Sequence, residues 1–152
     1  MKYSLYYAVV NKINPRDAEA YADRSQLFSE NGDFINAIAD CEQAIIIDTN
    51  CSHAFNNLAW FLSVFPKKEL RNGQRAVELA QKACELTSWK KLHCLGTLAA
   101  AYAETGDYAA AVKWQKKSIE LYPAGSDLKE AQKLLGFYEL KKPYRFENTK
   151  IR

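Results

Sequence analysis

Asn31-Gly32-Asp33-Phe34, leading to Ala37-Ile38, and Thr105-Gly106-Asp107-Tyr108, leading to Ala111-Val112, set glycine, acid and aromatic in the same order twice. In both places a long amphipathic stretch precedes the glycine and a second follows the aromatic. Glycine accepts the left-handed backbone that closes a helix, and the neighbouring aspartate can cap the helix that follows. Each setting therefore predicts a helix-turn-helix unit. The glycines lie 74 residues apart, from Gly32 to Gly106, a little more than twice the ~34-residue period of stacked helical hairpins. That leaves room for one further, expanded copy. In such an array each unit buries its apolar face only against its neighbours.

A frame opened at Ala18 puts Tyr21, Phe28, Ala37 and Ala44 where a hairpin needs buried groups. The next frame opens at Ser52 and carries Phe55, Leu58, Ala59 and Leu62 on its first helix. Pro66 then breaks the pattern, residues 66–72 form an expanded connection, and the second helix resumes near Gly73 with Ala76, Leu79, Ala80, Ala83 and Leu86. A third frame from Leu92 carries Leu95, Leu98, Ala99, Tyr102, Gly106, Tyr108, Ala111 and Ser118. All three keep small residues where the helices are expected to cross: Ser25, Ala37 and Ala44; Ala59, Ala76 and Ala83; Ala99, Ala111 and Ser118. Helix axes about 8–10 Å apart leave no room there for larger groups.

With its aromatic and small residues at set places and a terminal proline at Pro123, residues 18–123 resemble the tetratricopeptide repeat. The stretches Arg71-Asn72-Gly73, Ala76 to Ala80, Ala83 to Thr87, Thr97 to Glu104 and the tail around Lys142-Pro143-Tyr144-Arg145 are similar to a bacterial subgroup of these proteins. Arg24, where leucine is commonest, Gly96 inside a helix and the long second turn depart from the pattern. The resemblance implies an all-α, right-handed solenoid of about three antiparallel hairpins with flanking terminal helices. The expected parts are an N-terminal helix or half repeat (1–17), repeats at 18–51, 52–91 and 92–125, a capping helix (126–141) and a loose basic tail (142–152). Leu128, Ala131, Leu134, Leu135 and Tyr138 recur at helical spacing in the capping helix, with Ser126 or Asp127 as its cap.

Composition narrows the function. Apolar residues are 48% and charged residues 26% of 152, which excludes a disordered chain, and no apolar run approaches the ~20 residues of a membrane span. The net charge of +3 is dispersed, unlike the basic face of a nucleic-acid binder. Cys41, Cys51, Cys84 and Cys94 form no Cys-x-x-Cys pair and read as buried thiols of a cytoplasmic protein. The apolar segment from Tyr3 to Val10 lacks a signal-peptide cleavage site.

No glycine-flanked serine elbow, phosphate loop or metalloprotease helix is present, so no catalytic residue and no cofactor is assigned. Cys51, His53, His93 and Cys94 have the ligand types for zinc, but Cys94 should point away from His93, and no metal is expected. By the resemblance, first helices line a concave groove, which here would present Glu19, Gln26, Glu30, His53, Asn56, Asn57, Trp60, His93 and Glu104. Trp60 reads either as a binding anchor or as packing between first helices. Asn56 and Asn57 can bond a peptide backbone. Some relatives clamp a chaperone's terminal carboxylate with lysines, asparagines and an arginine; His93 and Thr97 stand where cations would be needed, so that partner does not fit. With Glu19, Asp23, Glu30 and Glu104 unbalanced, the groove suits a protein or peptide segment with basic or apolar anchors. The expectation is a non-catalytic interaction module. The alternative is a self-assembly scaffold, a homo-oligomer docking through Tyr3, Tyr6, Tyr7, Val9 and Val10.

Overall fold

The computed structural model describes residues 14–147, together with Ala8. The expected N-terminal half repeat and its tyrosine-rich contact lie outside the described residues. Between residues 14 and 147 the chain forms seven α-helices: α1 (Ala18–Glu30), α2 (Phe34–Ile47), α3 (Ser52–Val64), α4 (Gly73–Leu86), α5 (Leu92–Thr105), α6 (Tyr108–Glu120) and α7 (Lys129–Glu139). A short 3₁₀ turn, Lys68–Leu70, interrupts the long connection before α4, and no strand occurs among the described residues. The helices pair as hairpins α1–α2, α3–α4 and α5–α6, α7 packs on α6, and the first helices touch in the order α1, α3, α5. This is an α-solenoid. No helix of the described residues is long and apolar enough to cross a membrane.

Local chemistry explains the helix starts. Asp17, Asp33, Asn72 and Asp107 each accept a hydrogen bond from the backbone N–H three residues on, so four helices begin on a side-chain cap. Helix α7 starts later than the sequence suggests. Asp127 Oδ1 takes the Lys129 N–H at 3.0 Å, a local turn that holds the chain outside the helix until Lys129.

The helix ends differ in an instructive way. Helices α1 and α5 close on Gly32 (φ 80°) and Gly106 (φ 86°), with Asp33 N–H reaching back to Phe28 O and Asp107 N–H to Tyr102 O. Helix α3 has no such glycine; Phe65-Pro66 follows it, and proline cannot donate. Phe65 and Asn72 satisfy the carbonyls of Phe61 and Leu62. Those of Ser63 and Val64 are left for another segment.

All nine predicted crossing positions are buried, eight of them with no exposed surface and Ser118 at 3%. Larger groups fill the space between hairpins, where Phe34 of α2 meets Phe65 at the end of α3 with ring centroids 4.4 Å apart. The unusual Arg24 is also inside. Its guanidinium donates through both Nε and Nη2 (2.6 Å) to the Asp40 carboxylate and lies over the rings of Tyr21 and Phe28. Trp89 stacks on Trp114, centroids 5.2 Å apart, after a turn in which Ser88 and Trp89 both take positive φ.

The tail expected to be loose is held over its described part. Residues 142–147 run back across the first helices: Tyr144 stacks on Trp60, Arg145 pairs with Glu104, and Phe146 N–H donates to Val64 O at 2.8 Å. The segment is held because it completes the open end of α3.

Candidate functional site

Residues three, four and seven apart share one helix face, and that spacing carries Gln26 and Glu30 on α1, His53, Asn56, Asn57 and Trp60 on α3, and His93, Gly96 and Thr97 on α5 to a single concavity of about 540 Å³. Its far wall comes from Gln115, Ser118 and Tyr122 on α6, Glu130, Ala131 and Leu134 on α7, and Phe146. The capping helix thus occupies the place of a fourth first helix. Seven of the nine expected groove residues line this cavity, and Glu19 and Glu104 do not.

Those two have other work. Glu19 accepts a hydrogen bond from the Cys51 thiol (Sγ to Oε1 3.3 Å) and lies 3.1 Å from His53 Nδ1, which Asp23 also approaches at 3.7 Å. Glu104 was expected to be unbalanced. It is instead held between Arg71 Nε (2.9 Å) and Arg145 Nη2 (2.7 Å), and its side chain is largely buried. Arg71 comes from the expanded connection and also binds the carbonyls of Phe65 and Pro66. Asn57 is likewise committed: it is buried, and its amide donates to Ala22 O at 3.1 Å and approaches Ser25 Oγ at 3.4 Å, tying α3 to α1. It positions the wall rather than offering a donor to a guest. Trp60 resolves into neither of its two expected readings alone, since its indole carries Tyr144, centroids 5.9 Å apart and 30° between planes.

Asn56 is different. Its Oδ1 is buried and receives no hydrogen bond from the described residues, and the same holds for Gln115 Oε1 across the cavity. Gln115 is 1% exposed and spends its Nε2 on Ala131 O at 2.9 Å, which fixes the amide. Gly96 opens the space beside it: a Cβ there would sit 3.7 Å from Gln115 Oε1 and 3.4 Å from Ser118 Oγ. The helix bears the glycine's cost of about 1 kcal/mol. Gln115, α7 and the tail could not be read as lining from the first helices alone.

The thiols are poor nucleophiles. Burial pushes Cys41 and Cys84 up to about 12 and Cys51 up to about 11, so each holds its proton at neutral pH. His93 is exposed while Cys94 is buried, because consecutive helical residues diverge by about 100°. No group of three His, Cys, Asp or Glu side chains among the described residues could hold a metal ion.

Models of the tetratricopeptide repeat family match residues 18–51 and 92–122. Both segments carry the glycine–acid–aromatic turn. Among solved structures, the chain is similar to two crystal structures of MamA, each at 19% identity, with TM-scores of 0.67 and 0.68. The likeness covers 91% of this chain and 70% and 75% of those chains, and it concerns the fold. No curated protein matches the sequence.

Proposed function

We propose that this protein, a chain built of tetratricopeptide repeats, is a non-catalytic interaction module that holds a peptide or protein segment in its concave cavity. The repeats and the solenoid support a protein-interaction module in general; the assignment to the cavity rests on its chemistry. Its walls leave two amide oxygens, Asn56 Oδ1 and Gln115 Oε1, without a donor among the described residues. An unpaired buried acceptor costs about 1–3 kcal/mol, so an occupant that brings N–H groups recovers energy at both places. Backbone amides of an extended segment, or a lysine or arginine side chain, supply such donors. Glu30 and Glu130 in the lining favour a basic occupant. His53 and His93 flank the opening, one half-buried and one exposed. The four free thiols suit a reducing compartment, and we place the protein in the cytoplasm.

The test uses Asn56→Leu, which removes one open acceptor at similar size. Immobilised parent and variant chains are compared for partner capture from a lysate of the source cells, with thermal melts alongside. The expected result is a loss of capture of about tenfold, the weight of ~1.4 kcal/mol, with an unchanged or raised melting temperature. Undiminished capture by a folded variant would remove the cavity from the account.

A further inference from the structure

The end of α3 and the segment 142–147 explain one another. An α-helix leaves its last four carbonyls without an intrahelical donor. In α1 and α5 a glycine turn meets part of that need locally. In α3 Phe65 and Asn72 meet the need at Phe61 and Leu62, and the last two carbonyls are taken from a distance: Ser63 O by Arg145 Nη1 at 3.2 Å and Val64 O by the Phe146 N–H at 2.8 Å. Three side-chain seats accompany these bonds. Tyr144 stacks on Trp60, Arg145 reaches the Glu104 that Arg71 holds in place, and Phe146 sets its ring edge-on to Phe34 with centroids 6.3 Å apart. A main-chain bond combined with side-chain seats is how a peptide segment is recognised. The seats are also consecutive in sequence and none of the three residues is fully buried.

We propose that the strip of concave face from Glu104 to Val64 is a recognition site for an extended segment presenting an aromatic, a guanidinium and a second aromatic in consecutive positions. In this chain its own Tyr144-Arg145-Phe146 occupies the strip, and a partner segment of the same chemistry displaces it. The inference rests on the concave face being the binding face and names the chemistry at one end of it. Glu104 supplies the charge complement to the guanidinium. Lys141, with φ 53°, ends α7 and is exposed, as are Leu140 and Lys142, so the segment can swing away without unpacking the helix.

The experiment uses the full chain and a labelled peptide with the sequence of residues 142–152. An Arg145→Ala/Phe146→Ala chain, whose tail no longer holds its seat, should bind the peptide in an anisotropy titration while keeping parental helicity. The parent should bind about tenfold more weakly, as expected when a tail at an effective ~1 mM competes with a trans Kd of ~100 μM. A peptide carrying Arg145→Glu should bind neither. No binding by the released chain, or equal binding of both peptides, would overturn the proposal. If the variant loses helicity, hydrogen exchange of the parent decides: a Phe146 amide exchanging at least ~100-fold faster than the core amides of α3 supports a displaceable tail, and exchange in step with them refutes it. Sedimentation should give a monomer; a dimer that the peptide dissociates would assign the strip to a second copy's tail and overturn occupation in cis. Asn56→Leu should leave peptide binding intact, so a failure here is separable from a failure of the cavity.

Discussion

Replacing Asp40 by alanine removes the carboxylate that both Nε and Nη2 of Arg24 meet, beside the rings of Tyr21 and Phe28. Two residues along α2, Glu42 pairs with Arg75 at 2.9 Å, so the same helix carries two ion pairs that differ mainly in exposure. The side chains of Arg24 and Asp40 are 10% and 9% exposed, those of Arg75 and Glu42 47% and 42%. Unit charges about 4 Å apart at an effective dielectric of ~20 attract by about 4 kcal/mol. Breaking a buried pair from one side costs about 3–5 kcal/mol, whereas an exposed pair contributes about 0–1. In a chain of this size, 1 kcal/mol corresponds to about 2–4 °C of melting temperature. Asp40→Ala should therefore melt about 6–20 °C below the parent and Glu42→Ala within about 4 °C. Raising salt to ~1 M should erase the Glu42 difference and preserve most of the Asp40 one. The double change Arg24→Met/Asp40→Leu should return to within about 1 kcal/mol of the parent, or exceed it. Calorimetric melts of the four chains decide. An Asp40→Ala chain that melts like Glu42→Ala would refute the burial argument, as would a double variant no better than the single.

Ala37→Leu and Ala111→Leu each overfill a helix crossing with no exposed surface and should cost about 1–3 kcal/mol in denaturant unfolding; parental midpoints for both would misplace the repeat frame. Tyr138 is fully buried and its hydroxyl has no partner among the described residues, so Tyr138→Phe should stabilise by about 1 kcal/mol, and a clear loss would reveal a bond the hydroxyl makes. Burial raises Cys41 and Cys84 from 9.0 to about 12, so the folded chain holds these protons more tightly than the unfolded one. Their contribution is full below pH ~9 and falls as pH rises toward ~12, by about 1.4 kcal/mol per pH unit for each thiol. A Cys41→Ala/Cys84→Ala chain should lose that slope in melts between pH 8 and 11; an unchanged slope would assign the alkaline loss elsewhere.

The repeats were legible because their signals are local. A glycine that must take positive φ at 32 and 106, an aspartate beside it and alanines at fixed offsets need no knowledge of the rest of the chain. The cavity's near wall followed from helix periodicity, which brings His53, Asn56 and Trp60 to one face. What escaped was tertiary. Lys141, Lys142 and Arg145 make the tail look solvated, and nothing near them announces that α3 lacks donors for two carbonyls about eighty residues earlier. Glu104 reads as a free acid until Arg71 and Arg145 arrive from opposite directions. Asn57 and Asn56 are adjacent in sequence, yet a rotation of about 100° commits one to α1 and leaves the other facing the cavity.

Site-specific photo-crosslinking measures most directly whether the concave face carries binding. A photoreactive residue is placed singly at Asn56 or His93, which line the cavity, and at Ile35 or Ile46, exposed on α2, in the full chain expressed in its own cells. Adducts to a partner protein should form from the first two positions and be absent from the last two. Adducts from α2 alone, or from all four positions equally, would contradict the account.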